Sequence, residues 1–489
     1  MSTPLNRRDF LKVAGLGAAG WHLSAAMSRS AFAAKLYGRR PNIVWIMAED
    51  IAPDLACYGT PEVKTPNLDR MAAEGIRYTN AFATCPVCSP SRSAMITGMY
   101  QTTIGAHNHR SHRDDGYMLP APVRLITDYL RDVGYFIANN GKTDFNFNTE
   151  RPPADGKDWR QRKDGEPFFA QITLAVSHRN FTRDKQNPID PAKVVIPPYY
   201  PDHPITRRDW ADYLESIQLM DRQVGGILER LKTEGLADNT VVFFIGDNGR
   251  CHVRGKQWLY NPGIHVPLII RWPGTIKGGQ VCTDMVSTID ISATILKLAG
   301  IEPPGHIEGR VFLGPDAKKR QYIVAARDRC DETVDRIRCI RTPQFKYIRN
   351  FMPERPWTQF NAYKTRQYPV VTLLEVLHKQ GKLTPAQARW MAPRRPAEEL
   401  YDLAKDPHEL NNLADDPKYR AKLIELRALL DKWIVETGDK GEIPEPASLL
   451  DRLMKERDQI RKNDMGKKGL APDCTPEEHL KYWEQRLLG

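Results

Sequence analysis

An α/β fold is predicted for this chain of 489 residues: a mostly parallel sheet flanked by helices, followed by a smaller C-terminal α+β part built on an antiparallel sheet. Three observations predict it. Between Pro41 and about Gly314, short apolar runs alternate with stretches of helical periodicity, as when strands are buried between two helical layers. Four of those runs end abruptly in polar or ionisable side chains. Past a break at 315–336, "RCIRTPQFKYIRNF" reads as a hairpin and "ELYDLAKDPHELNNLADDP" as a strand, a turn and a helix start.

Along the chain, residues 1–34 carry Arg7-Arg8, a Gly/Ala-rich apolar stretch and Ala31-Phe32-Ala33, the pattern of a twin-arginine signal peptide with a small-residue cleavage site. Val13 to Met27 is too short and too interrupted to span a bilayer. The expectation is export of a folded protein by the twin-arginine translocase, to a periplasmic or secreted location. Residues 35–335 form the expected first domain, with buried strands at 42–47, 135–138, 168–176, 240–245 and 267–272. Its helices are expected at 67–75, 122–132, 205–233 and 289–299. In the long one Trp210, Leu214, Ile217, Val224, Leu228 and Leu231 share a face. Proline-rich loops at 152–153 and 197–204 are candidates for substrate-facing surface. Residues 336–489 form the second domain, ending in a charged helical tail.

A composition of 41% hydrophobic and 27% charged residues is that of a globular protein. The formal net charge of +11 suits an anionic ligand. No compact Lys/Arg run with interleaved aromatics occurs, so a nucleic-acid partner is not expected. The eight cysteines are too widely and irregularly spaced to read as a disulfide framework.

The polar strand ends carry the chemistry. "NIVWIMA" delivers Glu49 and Asp50, "YFIANNG" Lys142 and Asp144, "ITLAVS" His178, and "VVFFIG" Asp247 and Asn248. Taken singly, an Asp after a strand is a common turn former. Ligands of open α/β sheets, however, bind beyond the carboxyl ends of parallel strands, so four parallel strands would bring these groups to one crevice. Glu49, Asp50, Asp247 and Asn248 then make an all-oxygen set suited to Ca²⁺ or Mg²⁺.

"ATCPVCSPSRSAMITG" (83–98) joins them. Ser89 is a candidate N-cap, Pro90 suits the first helical position and Gly98 a stop. Cys88 then sits just before a short helix, where backbone N–H groups favour an anion. Arg92 lies in the first turn, able to fork onto an oxyanion. A zinc ribbon would need a second C-x-x-C. A thioredoxin-like pair would place the first thiol, Cys85, at the helix start, and the helix signals put Cys88 there instead. The residues favour Cys88 as the nucleophilic position and Cys85 as a buried structural cysteine.

The run Cys88-Ser89-Pro90-Ser91-Arg92 followed by "SAMITG" resembles the signature of the formylglycine-dependent sulfatases of the alkaline-phosphatase superfamily. "PNIVWIMAED", "TPNLDRMAAEGIRYTNAFA", "GYFIANNGK", "DNG" and "RGKQWLYNPGIHVPLIIRWPG" resemble the same family, as do "IRTPQFKYIRN" and "ELYDLAKDPHELNNLA". The resemblance implies an alkaline-phosphatase-like fold and oxidation of Cys88 to formylglycine (3-oxoalanine) by a formylglycine-generating or sulfatase-maturing enzyme. It implies one Ca²⁺ held by Glu49, Asp50, Asp247, Asn248 and the side chain at 88. Arg92, Lys142 and Lys256 would neutralise the transition state, and His178 would protonate the leaving group or hold substrate. Two positions depart from the family pattern. Glu49 replaces the first of two aspartates, and "G-K-x-H" reads Gly141-Lys142-Thr143-Asp144. Asp144, or one of His107, His109 and His112 in "GAHNHRSH", would fill the place of the missing histidine. The stretch 195–225 resembles that of the heparan N-sulfatases, implying sulfate hydrolysis on a sulfated saccharide, as an O- or N-sulfate. The alternatives are a phosphodiesterase or phosphonate monoester hydrolase of the same superfamily, and a thiol–disulfide oxidoreductase using Cys85 and Cys88.

Overall fold

The structure, a computed structural model, describes residues 40–112 and 115–489; the expected signal peptide lies outside the described residues. The first sheet has seven strands: β1 (Asn42–Ala48), β2 (Ile76–Phe82), β3 (Phe136–Asn139), β4 (Phe168–Leu174), β5 (Thr240–Gly246), β6 (His265–Arg271) and β7 (Gln280–Ser287). Their spatial order is β3-β4-β1-β5-β6-β2-β7. The strands bearing the polar ends, β3, β4, β1 and β5, are mutually parallel neighbours. β6 runs antiparallel to both β5 and β2, so the sheet is mostly, not wholly, parallel.

β1 is buried along its whole length and alternates between two cores. Val44, Ile46 and Ala48 face one core, which α1 (Pro66–Ala73) and the long helix α4 (Pro204–Thr233) cover through Leu68, Met71, Leu214, Ile217 and Val224. Ile43, Trp45 and Met47 face the other core. There α2 (Cys88–Thr97), α3 (Ile126–Asp132) and α5 (Ile289–Leu298) contribute Met95, Ile96, Leu130 and Ile295. Helices on both faces make a three-layer α/β body. All six face residues expected of α4 are buried. The helix starts where His203 accepts the Ile205 N–H and Pro204 takes the first position.

The second sheet is antiparallel, in the order β11-β10-β9-β8, from β8 (Ile323–Arg327), β9 (Ile337–Arg341), β10 (Phe345–Asn350) and β11 (Glu398–Asp402). The β9–β10 hairpin turns at Thr342, whose hydroxyl accepts the Phe345 N–H. β8 precedes residue 336, so this sheet begins ahead of the expected 335/336 boundary. Helices α6 (Ala362–Gln367) and α7 (Pro369–Lys379) are inserted before β11, and α8 (Arg420–Thr437), α9 (Ala447–Lys467) and α10 (Pro476–Leu488) form the tail. Among the described residues no helix is long and apolar enough to cross a membrane. One apolar cluster joins Ala94 of α2 and Tyr100 to Val324, Ile340, Tyr347 and Leu426, so the second sheet packs on the helix that carries Cys88.

Several local expectations are corrected. α2 begins at Cys88, with Val87 rather than Ser89 as N-cap and no side-chain cap; the Ser89 hydroxyl instead accepts the Arg110 N–H. The expected stop holds: Gly98 has φ +69° and donates its N–H to Ala94. Helix 122–132 starts only at Ile126, because Leu125 is extended. Strand 168–176 ends at Leu174, releasing Ala175 to His178 into a turn. Loop 197–204 buries Tyr199 and Tyr200 in the core instead of presenting them to a ligand.

Candidate active site

The site is assembled at the carboxyl ends of β1 and β5, which pair with Ala48 opposite Gly246. From this register the next residues interlock. The Asp50 N–H donates to Asp247 Oδ1 at 3.0 Å, and Asn248 Nδ2 donates to Asp50 Oδ1 at 2.8 Å and Asp247 Oδ1 at 2.6 Å. Asp50 adopts φ +54°, a conformation uncommon outside Gly, Asn and Asp and costly enough to cluster at functional sites. Gly249 has no room for a side chain: a Cβ there would lie 2.1 Å from the Pro262 carbonyl oxygen. Both Asp247 and Asn248 are fully buried, and Asn248 Oδ1 has no hydrogen-bond partner in the structure.

Three cations face the three carboxylates. Arg92 Nε donates to Asp247 Oδ2 at 2.9 Å, NH1 donates to Thr173 Oγ1 at 3.1 Å, and NH2 lies 3.6 Å from Glu49 Oε1. The guanidinium expected to fork onto a ligand oxyanion is therefore buried against Asp247 and Glu49, which it holds in place. Lys142 Nζ lies 3.0 Å from Glu49 Oε1 and 3.5 Å from Asp144 Oδ2. Lys256 Nζ donates to both oxygens of Asp50, at 2.8 and 2.7 Å, and is 3.4 Å from His178 Nε2. Burial works to raise the Asp50 carboxyl, but Lys256, His178 and Lys142 outweigh it and hold it below the usual range. Burial likewise opposes the Lys256 charge, and Asp50 more than restores it. The 2.6 Å contact of His178 Nδ1 with the Arg179 carbonyl puts the neutral ring's proton on Nδ1 and leaves Nε2 facing Lys256 and Asp50.

Cys88 closes the arrangement from the opposite side. It is 2% exposed, and its Sγ lies 3.7 Å from His109 Nε2, while His109 Nδ1 is 3.3 Å from Asp331 Oδ1. Burial pushes the Cys88 thiol up to about 12 against the pull of Lys256. Cys85 is raised too, by burial and by neighbouring Cys330, and all eight cysteines are free. Neither thiol has the depressed value of a redox-active cysteine.

Of the three histidines in "GAHNHRSH", the structure brings His109 to residue 88. His112 braces a surface turn, 2.7 Å from Asp115 Oδ2 and stacked on Tyr117. His107 is buried away from it, pushed by burial down to about 4. Asp144 stands beside Lys142 with φ +56°, its Oδ1 4.0 Å from Arg110 Nε. Arg110, Asp331 and Tyr363 belong to the same crevice and were not expected from the sequence; the Tyr363 ring lies 5.6 Å from Lys256 Nζ and 6.0 Å from the His178 ring.

Among the described residues no group of three or more His, Cys, Asp and Glu side chains is arranged to hold a metal ion. The oxygen set nevertheless fits a hard cation. The buried, unpartnered Asn248 Oδ1 lies beside Asp50 and Asp247, and neither sulfur nor imidazole belongs to the set.

Comparison with known proteins agrees with this geometry. The sulfatase family model matches residues 41–159 and 154–301, and the C-terminal model of N-sulphoglucosamine sulphohydrolase matches 249–369. An ulvan-active sulfatase of Formosa agariphila is 35% identical over 465 residues, covering 85% of this chain and 78% of its own. Human N-sulphoglucosamine sulphohydrolase is 26% identical, over 82% of this chain and 91% of its own. The solved phosphonate monoester hydrolase of Agrobacterium radiobacter superposes with a TM-score of 0.63 at 19% identity, over 81% of this chain and 96% of its own, a likeness of fold alone. The chain belongs to the sulfatase family, hydrolases of sulfate esters and sulfamates.

Proposed function

We propose that this sulfatase removes an O- or N-sulfate from a sulfated saccharide, with Cys88 matured to formylglycine and one Ca²⁺ held by Glu49, Asp50, Asp247, Asn248 and the side chain at 88. The observation that carries the reading is the meeting of Cys88 with carboxylates from β1 and β5 and ammonium groups from Lys142 and Lys256 in one crevice. A thiol pushed up to about 12 is a poor nucleophile at neutral pH, which favours a matured oxygen nucleophile. Relatives named for ulvan and for N-sulphoglucosamine, together with the +11 charge, support an anionic saccharide.

The formylglycine hydrate would supply a hydroxyl nucleophile, and a cation held by Glu49, Asp50, Asp247 and Asn248 would lower that hydroxyl's pKa and withdraw charge from the sulfuryl oxygens. The remaining work falls to the chain. Lys142 and Lys256 neutralise the sulfuryl oxygens as negative charge builds. Arg92 keeps Asp247 and Glu49 oriented. His178 turns Nε2 to the departing oxygen or nitrogen and holds it, or protonates it once Nε2 has itself taken up a proton. His109 accepts a proton from the side chain of residue 88 at Nε2, while Asp331 holds its Nδ1; this fills the place left by Asp144 in "G-K-T-D". Maturation by a formylglycine-generating or sulfatase-maturing enzyme precedes folding, and the twin-arginine translocase then carries the folded protein to the periplasm or beyond.

The test is a panel of defined O- and N-sulfated saccharides beside a phosphonate monoester and a phosphodiester, followed by release of inorganic sulfate or phosphorus product. At least one sulfated saccharide is expected to react about 10³-fold faster than either phosphorus substrate, roughly 4 kcal/mol of discrimination. Faster turnover of a phosphorus substrate would refute the assignment. With the best saccharide, His109→Ala is expected to lower kcat about 10²-fold, whereas His112→Ala, in the surface turn, stays within about threefold of the parent. Equal losses in the two variants would remove His109 from the reaction.

A further inference from the structure

Beside the reaction centre lies a cavity of about 260 Å³ to which no role has been given. Trp258, Trp357, Trp390, Arg327, Lys364 and Gln257 are among the residues that line it. Its lining joins the site through neighbouring residues, and the Lys256 and Asp331 charges act on Lys364. Gln257 follows Lys256, and Lys364 follows Tyr363, whose ring faces Lys256 and His178. The three indoles pack together, Trp258 on Trp390 at 5.0 Å and Trp357 on Trp390 at 6.3 Å.

Two residues of the cavity lining carry donors without an acceptor, and only that of Lys364 is open to a guest, the Trp258 N–H being sealed from solvent. Trp258 is 3% exposed and its indole N–H has no acceptor. Lys364 Nζ sits 5.8 Å above the Trp258 ring and, among the described residues, has no hydrogen bond or ion pair. Unlike Lys142, Lys256 and Arg327, which all contact carboxylates, Lys364 lacks an anion. The consequence is electrostatic. Burial, reinforced by Arg327, pushes the Lys364 ammonium down to about 7, a loss that a bound anion would reverse. Glu375, the carboxyl on the cavity wall, is itself pushed up to about 7 by burial, which weakens its opposition to an anionic guest.

We propose that this cavity is a subsite for the sugar ring next to the one that loses sulfate, and that it selects a ring carrying a carboxylate or a second sulfate through Lys364. The volume is slightly below the ~300 Å³ at which pockets for drug-sized ligands begin, which suits one ring rather than a longer chain. The indoles give apolar surface to the ring's C–H face, and Lys364 gives orientation. The assignment rests on the sulfated-saccharide reading of the neighbouring site.

The experiment compares three sulfated disaccharides that differ only in the flanking ring: a uronate, a second sulfated hexose and a neutral hexose. The parent enzyme is expected to prefer one or both acidic-flanked substrates about tenfold in kcat/KM, with K364M abolishing the preference and K364R keeping most of it. A tenfold change corresponds to about 1.4 kcal/mol. The uronate and sulfate arms identify which anion is preferred. A parent enzyme without preference, or a preference unchanged in K364M, would overturn the subsite. Direct titration of the unmatured Cys88 protein with the uronate-flanked and the sulfate-flanked disaccharides, each lacking the sulfate at the reacting position, separates this from failure of the activity itself, the tighter of the two being compared between parent and variant. About tenfold weaker binding to K364M than to parent supports the subsite even if no panel member turns over. Equal affinity, or no binding of either acidic disaccharide to parent, overturns it.

Discussion

Replacement of Cys88 by alanine is expected to lower kcat/KM by about 10⁴-fold or more, the scale of losing a covalent nucleophile. The same change at Cys85 is expected to cost stability rather than chemistry. Cys85 is 1% exposed and packs with Val87, Cys88 and Cys330, so its truncation to Ser or Ala leaves a small defect at the base of the site. The contrast is informative because a thiol–disulfide mechanism needs both sulfurs. Steady-state kinetics on the two variants, with thermal unfolding as a check on folding, would read it directly. Comparable inactivation of C85S and C88A, with both folded, would point back to the two-thiol chemistry.

The second large effect is expected at Asp247. Its carboxylate accepts the Asp50 N–H, the Asn248 amide and the Arg92 guanidinium, all of them buried. Asp247→Ala therefore strands a buried arginine whose next carboxylate, on Glu49, is 3.6 Å away. Breaking a buried pair in this way costs about 3–5 kcal/mol. Activity should fall at least ~10²-fold, since one of the charges that preorganise the site is gone. Asp247→Asn keeps an acceptor of the same shape, so it should lose activity with a smaller fall in the urea midpoint. A fully active D247N enzyme would mean that the negative charge at 247 is dispensable, against its proposed part in holding a cation.

Much of this site was legible because the four strands that build it are buried over most of their length, β1 and β5 over all of it. After their first residues, Asn42 and Thr240, β1 and β5 are apolar to their carboxyl ends, so the next polar group marks the rim of the sheet, and parallel pairing brings those rims together. β2 and β7 were not picked out as strands, for the complementary reason. "IRYTNAF" mixes Arg77, Thr79 and Asn80 into a half-covered strand, and "QVCTDMVS" is an edge strand whose first residues are exposed. Ser89 looked like a cap because its type and spacing are right, but its hydroxyl is drawn to the Arg110 loop.

The choice among His107, His109 and His112 is likewise tertiary. The Asn108–His109 segment is stitched to the 329–331 loop by the His109 N–H to Arg329 O bond and the Arg329 N–H to Asn108 Oδ1 bond. That stitching sets His109 between Cys88 and Asp331. Asp331, Arg110 and Tyr363 depend on the second sheet packing against α2, a contact without local periodicity. "RCDETVDRIR" registered only as a break in the pattern, although it supplies the carboxylate behind His109.

The claim on which the chemistry depends is the state of residue 88, and it can be read without any substrate. Protein co-produced with a sulfatase-maturing enzyme and shown to release sulfate would be digested and the peptide spanning 83–98 weighed. The expected mass is that of a chain in which the thiol has become an aldehyde, with formylglycine content across preparations rising in proportion to specific activity. A fully active preparation whose peptide retains an unmodified Cys88 would contradict the proposal.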